Sequence, residues 1–247
     1  MMLCYKAWTE SRLRFGIVLL ALVWACGAVV AIQGASRAHA DEPMTYAQFV
    51  WKAVYRGAVR DLFALLAMTL GLGGLRQEQA NGTVGFTLAL PVSRTRLVVS
   101  RAAVGLVEVA VLGFVPAMVL TLLSPLTGQS YPLYQGAVYG LLWAAGGVVL
   151  FAATFLFSTL LAGEFTPWIA GVVSLVAYLM VVHLPPLSAA PRLDFLQVMS
   201  GSGMPYFRTS DSTLIGPVPW AAVGGMILSG VVLIWTAGRA TERGDFS

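Results

Sequence analysis

Residues 136–162 read GAVYGLLWAAGGVVLFAATFLFSTLLA, from Gly136 to Ala162, without one charged side chain. Wound as an α-helix at ~1.5 Å per residue, this run extends about 40 Å, and the hydrocarbon core of a bilayer is about 30 Å thick. The same reading applies to Phe15–Ser36, Pro167–Leu184 and Val218–Gly238, and to Ala102–Leu126, which holds one charge, Glu108, and one kink candidate, Pro116. A sixth run, Leu62 to Leu75, has only 14 uncharged residues. That is about 21 Å, too short to cross, so its helix has to begin earlier, near Gln48, and pass through Arg60 and Asp61. The expected fold is an all-α integral membrane protein, one membrane domain over 1–247. Its six transmembrane helices are expected at about 15–35, 54–75, 102–124, 137–162, 167–184 and 218–238.

Composition supports this independently. Of 247 residues, 58% are apolar or aromatic, 11% are charged, and the mean hydropathy is +0.80. A soluble domain carries roughly 25% charge, and disorder requires low hydrophobicity, so both classes are excluded, as is a nucleic-acid platform. Two cysteines, Cys4 and Cys26, rule out a disulfide scaffold, and two histidines, His39 and His183, are too few for a histidine-based metal site. The small-residue stretch Ala38-His39-Ala40 resembles a signal-peptide cleavage site, but the apolar run before it exceeds the usual ~7–15 residues, which favours a retained helix.

Charge placement sets the topology. If both termini are cytoplasmic, nine basic residues fall on that side and six, including Lys52, Arg56 and Arg60, on the other. The excess of positive charge inside favours this orientation. Lys52, Arg56 and Arg60 recur every four residues, opposite Phe49, Val50, Ala53 and Val54, and read as an amphipathic helix lying at the interface before span 2.

Between spans 2 and 3 lies a polar stretch unlike the others, residues 76–101. Its apolar patch Val84–Leu90 ends at Pro91, and Ser93 is placed to cap a helix beginning at Arg94. Glu78-x-x-x-Gly82-Thr83, followed by Leu88-x-Leu90-Pro91-Val92-Ser93-Arg94, resembles the cytoplasmic loop of type 2 ATP-binding cassette (ABC) transporter permeases. The resemblance covers about 25 residues in wording, and the six-span layout extends it along the chain.

The resemblance implies a permease subunit, an exporter by family, in a prokaryotic cytoplasmic membrane. It pairs with a second permease copy or a homologous permease. It implies a dimeric ABC ATPase that docks on the 76–101 loop as on a coupling helix, with Glu78, Gly82, Thr83, Pro91, Ser93 and Arg94 as contacts and Glu164 as a smaller second contact. ATP and Mg belong to that ATPase; this chain lacks the phosphate-binding Gly-x-x-x-x-Gly-Lys-Ser/Thr pattern and binds no cofactor of its own on this reading. Membrane lipids are the remaining partners, and nucleic acid is not one.

Two charges stand apart. Glu108 lies about 10 Å along its helix from Arg101, inside the hydrocarbon, facing either the bundle interior or snorkelling outward. Asp61 has no opposite charge three or four residues away and is read as pairing across the bundle or lying in interfacial water. Glu164 reads on residues alone as a solvated charge before Pro167. The stretch 185–217, with five prolines, reads as an ordered external loop with a short helix near Leu193–Met199. An intramembrane enzyme is the rival function. It would need convergent ionisable groups at depth, where only Glu108 is found. A membrane-assembly factor without transport of its own is the other rival.

Overall fold

The computed structural model describes residues 2–36, 44–73, 93–185, 194–202, 204–208, 210 and 212–243. These form α1 (Met2–Ser36), α2 (Tyr46–Val50), a π-helical turn (Trp51–Tyr55), α3 (Ala58–Leu70), α4 (Arg94–Leu123), α5 (Leu133–Leu160), α6 (Thr166–Val182), α7 (Phe195–Ser200), a hairpin of β1 (Phe207–Arg208) and β2 (Thr213–Leu214), and α8 (Trp220–Arg243). The protein is a helical membrane protein: four helices, within α1, α4, α5 and α8, are long and apolar enough to cross a bilayer.

The uncharged run quoted first becomes α5, the helix around which the others pack. Phe63 and Met68 of α3, Val109 and Leu112 of α4, and Val223 and Met226 of α8 join Tyr139, Trp143 and Phe151 of α5 in one buried core. Association inside a membrane relies on close van der Waals packing, which small residues permit. Gly113 of α4 shows why: a Cβ there would sit 2.6 Å from the Ala144 backbone nitrogen of α5. Helix α1 contributes a stripe at four-residue spacing, Val18, Leu22, Cys26 and Val30, all buried. Its other faces expose Leu13, Ile17, Leu20 and Trp24, as lipid-facing surfaces do.

The segment expected as the second span departs from expectation. One continuous helix over 54–75 is not formed. The chain starts at a Thr45–Gln48 capping box, winds as α2 and then as a π turn, breaks at Arg56–Gly57, and resumes as α3, which ends at Leu70. Gly57 permits the break: a Cβ there would lie 2.4 Å from the Lys52 carbonyl oxygen. The lead-in segment is not an interfacial amphipathic helix either. Val50, Trp51, Val54 and Tyr55 are buried in the bundle, and Tyr55 stacks on Tyr139 with centroids 3.9 Å apart. Aromatic packing outweighed the polar stripe, because the chain has more large apolar surface here than one lipid-facing side can use.

Side chains stitch the cap formed by α7 and the hairpin to the same end of the bundle. Gln135 holds Leu214 at two points, accepting from its nitrogen at 2.9 Å and donating to its oxygen at 2.7 Å. Trp51 Nε1 donates to the Ser200 carbonyl at 2.9 Å, and Gln48 Nε2 to that of Ser210 at 2.6 Å. The short helix in 185–217 is thus present as α7; the hairpin is a β element that the all-α expectation missed, with Phe207 opposite Leu214. Between α6 and α8, over α5, lies an apolar cavity of about 760 Å³ bordered by Met68, Leu175, Tyr178, Phe195 and Met226.

Candidate functional site

At the end of the bundle where α1 begins, polar side chains from two helices, α1 and α4, converge on the point where the chain leaves α3. Helix α3 ends at Leu70. Gly71 caps it, and Gly73 then takes φ +132°, a left-handed value that favours glycine. This turn leaves two carbonyls pointing into the bundle. Arg14 of α1 donates from Nη1 to the Leu72 oxygen at 2.7 Å. Arg101 of α4 donates from Nη1 to the Gly73 oxygen at 3.0 Å. Cations at a helix C-terminus satisfy its orphan carbonyls and complement its dipole. Arg101 is itself held by Glu10, at 3.3 Å, with the arginine side chain only 13% exposed.

Glu108 joins this cluster from within. It is buried, and its Oε1 accepts a hydrogen bond from the Ser11 hydroxyl of α1. Arg14 lies close enough to act on the carboxylate through its charge. Glu108 Oε2 is buried and has no hydrogen-bond partner among the described residues. The carboxylate therefore faces the bundle interior and does not snorkel. Ser11 and Arg14 continue the inward stripe of Val18, Leu22 and Cys26, so one face of α1 changes from apolar to polar as it reaches this end.

The sequence-predicted residues distribute as follows. Glu78, Gly82, Thr83 and Pro91 lie outside the described residues. Ser93 is the N-cap of α4, its hydroxyl accepting from the Arg96 nitrogen, and Arg94 is the first residue of that helix. Glu164 is exposed in the turn between α5 and α6; the N-cap of α6 is Phe165, so Glu164 does not cap it. Asp61 is not in this cluster. It accepts from its neighbour Arg60 at 2.8 Å and is largely exposed, at the opposite end near α7. It pairs with its immediate neighbour, not across the bundle, because the helix break at Gly57 turns Arg60 toward α7.

Glu10, Ser11 and Arg14 were not singled out as site residues in the sequence. Their signal was present: they are polar positions on the face of α1 that is otherwise apolar and buried. Arg101 was read only as a flanking cation. At this site the structure brings together Arg14, Arg101 and Glu108 beside Leu72 and Gly73, where the chain leaves α3, whereas Ser93 caps the start of α4. The carboxy-terminal helix joins the same end, where Thr95 donates to Glu242 at 2.8 Å. Among the described residues no group of three or more His, Cys, Asp or Glu is placed to hold a metal ion. No family profile, curated protein or solved structure matches this chain.

Proposed function

We propose that this chain is the membrane-spanning permease subunit of a type 2 ABC exporter in a prokaryotic cytoplasmic membrane. On this reading a separate dimeric ATPase drives it through the 76–101 loop. The chain spans six times, with α2–α3 and α6 as the second and fifth crossings and both termini in the cytoplasm. A second permease copy completes the pathway.

The observation that carries the reading is the double clamp at the loop root. A loop that receives a mechanical push has to be stiffly joined to the helices it moves. Arg14 and Arg101 tie Leu72 and Gly73 to α1 and α4, and Ser11–Glu108 ties α1 to α4 a further two turns along. A displacement of the loop toward the membrane would then reach three helices together, because packed interfaces move between discrete arrangements and do not deform gradually. Glu78 would meet a basic group on the ATPase, and Gly82 would allow close backbone approach. The 760 Å³ cavity bordered by α6 and α8 does not include Glu108 in its lining, so it does not favour the rival enzyme reading.

The test is reconstitution of the chain in lipid with the ATPase encoded beside its gene, scored for co-purification and for vanadate-sensitive hydrolysis stimulated by the complex. Replacing Glu78 and Gly82 is expected to leave hydrolysis by the ATPase intact and to uncouple it from transport. Full transport by the double variant would remove these two residues from the mechanism, and failure of the ATPase to associate would overturn the proposal.

A further inference from the structure

Three basic residues at the end of the bundle opposite the loop root, Lys52, Arg56 and Arg60, have no role in the clamp and run against the positive-inside preference. The structure separates them. Lys52 is exposed. Arg56 and Arg60 line a cleft of about 520 Å³ together with Trp51, His183, Gln197 and Ser202.

The π turn builds this cleft. Five residues along an α-helix, a side chain lies about 140° around the axis from the first. Here the Arg56 nitrogen donates to the Trp51 oxygen at 2.8 Å, the five-residue step of a π-helix, which returns Arg56 to the Trp51 face. π turns are rare and concentrate at functional sites. The Arg56 guanidinium lies over the Trp51 ring, 5.3 Å from its centroid. That ring is fixed in turn, through Nε1 to the Ser200 carbonyl and by packing on Phe207 at 4.9 Å. The guanidinium thus lies against a fixed ring, and among the described residues no carboxylate pairs with it.

The carboxylate that lines the cleft, Asp194, and the neighbouring Asp61 are already engaged. Asp194 is buried, its Oδ1 accepts from the Leu196 and Gln197 nitrogens, and its Oδ2 lies 3.9 Å from His183 Nε2. Asp61 sits at the rim on Arg60, which also donates to the Leu196 carbonyl at 3.5 Å. The donor capacity without a carboxylate therefore belongs to Arg56, with Gln197 on the same cleft wall; the Ser202 hydroxyl there is already bonded to that of Ser200 at 2.9 Å.

We infer that this cleft binds a phosphate group, with Arg56 as its principal ligand and Arg60 shaping the floor. A planar guanidinium fixed on an aromatic ring offers two parallel N–H donors that match two phosphate oxygens. The group can come from an anionic lipid headgroup or from a free phosphate anion, and both present the same oxygens.

The test uses the full chain in detergent, titrated separately with a short-chain phosphatidylglycerol, its zwitterionic phosphatidylcholine counterpart and inorganic phosphate, with bound probe read by native mass spectrometry. The wild type is expected to retain the phosphatidylglycerol or the phosphate in preference to phosphatidylcholine. Arg56→Gln is expected to weaken binding about tenfold, the usual weight of a bidentate charge-assisted pair, Arg60→Gln less, and Lys52→Gln not at all. Retention of the lipid without the phosphate identifies a headgroup; competition by phosphate alone identifies a solute. Thermal midpoints report folding, and Arg56→Lys, which keeps the charge but loses the fork, is expected to bind at an intermediate level. Equal retention by wild type and Arg56→Gln, or equal losses in Arg56→Gln and Lys52→Gln, would overturn the site.

Discussion

At the end of the bundle where α1 begins, Arg14 and Arg101 each reach a backbone carbonyl and share their surroundings with Glu10 and Glu108. At the capped end, Arg56 lies on Trp51 with no carboxylate paired to it among the described residues. Both pairs of arginines sit next to a helix break marked by glycine, Gly73 in one case and Gly57 in the other. The difference is what the break leaves unsatisfied. The end of α3 exposes carbonyls, so cations are drawn in and donate to them. The π turn before Gly57 closes its own backbone bonds, so the nearby guanidinium stays available. The first arrangement joins helices, and the second presents a donor to something outside the chain.

The sharpest way to break this contrast is to remove both clamps. In the reconstituted complex, Arg14→Ala with Arg101→Ala is expected to reduce transport-coupled ATP hydrolysis at least tenfold, a loss of about 1.4 kcal/mol or more in coupling. Arg56→Ala is expected to leave it unchanged. Equal effects at both ends would erase the distinction.

Next in size is Glu108. Its Oε2 is buried without a partner among the described residues, and an apolar side chain of similar volume in such a place is neutral or stabilising by about 1 kcal/mol. Glu108→Leu is therefore expected to keep or raise the unfolding midpoint in detergent while lowering coupled activity severalfold. Glu108→Gln preserves the acceptor for Ser11 and is expected to preserve activity. A drop in stability without a drop in coupling would make Glu108 a structural residue only.

The two glycines give a matched pair of smaller effects. Gly73→Ala places a Cβ at φ +132°, and Gly57→Ala places one against the Lys52 carbonyl. Each is expected to cost about 1–3 kcal/mol in equilibrium unfolding. Coupling should fall further in Gly73→Ala and phosphate retention in Gly57→Ala, and the reverse assignment would contradict the roles given to the two ends. The smallest effect belongs to Glu164, exposed in its turn: Glu164→Gln is expected within about ±0.5 kcal/mol by the same unfolding measurement. A loss of coupling in that variant would establish it as a second ATPase contact.

Much of the architecture was legible along the chain. The runs at 15–36, 102–126, 136–162 and 218–238 are local facts of composition, and each overlaps a long apolar helix with one end matched within a few residues, at Ser36, Leu123, Leu133 and Trp220, while α1 and α4 begin well before their runs, at Met2 and Arg94. Ser93 was readable as an N-cap because capping needs only its own hydroxyl and the nitrogen of Arg96. The lead-in to α3 was misread because a four-residue stripe of Lys52, Arg56 and Arg60 looks the same whether the opposite face meets lipid or meets Tyr139. The π turn has no composition of its own to give it away. The hairpin was missed because its strands have two residues each, too few for an alternating pattern to register.

The amino-acid sequence by itself determined that this is a helical membrane protein, because burying or exposing so much apolar surface has one inexpensive solution, and the lengths of its uncharged runs follow the bilayer. It also determined where polar residues are concentrated. Only the tertiary structure decided which polar groups meet. Arg14 and Leu72 are 58 residues apart, and Ser11 and Glu108 are 97 apart. Hydrogen bonds across such separations depend on how α3 and α4 pack on α5 and how α1 packs on α4 and α3, and that packing is set by glycine contacts and aromatic stacking that no local pattern encodes.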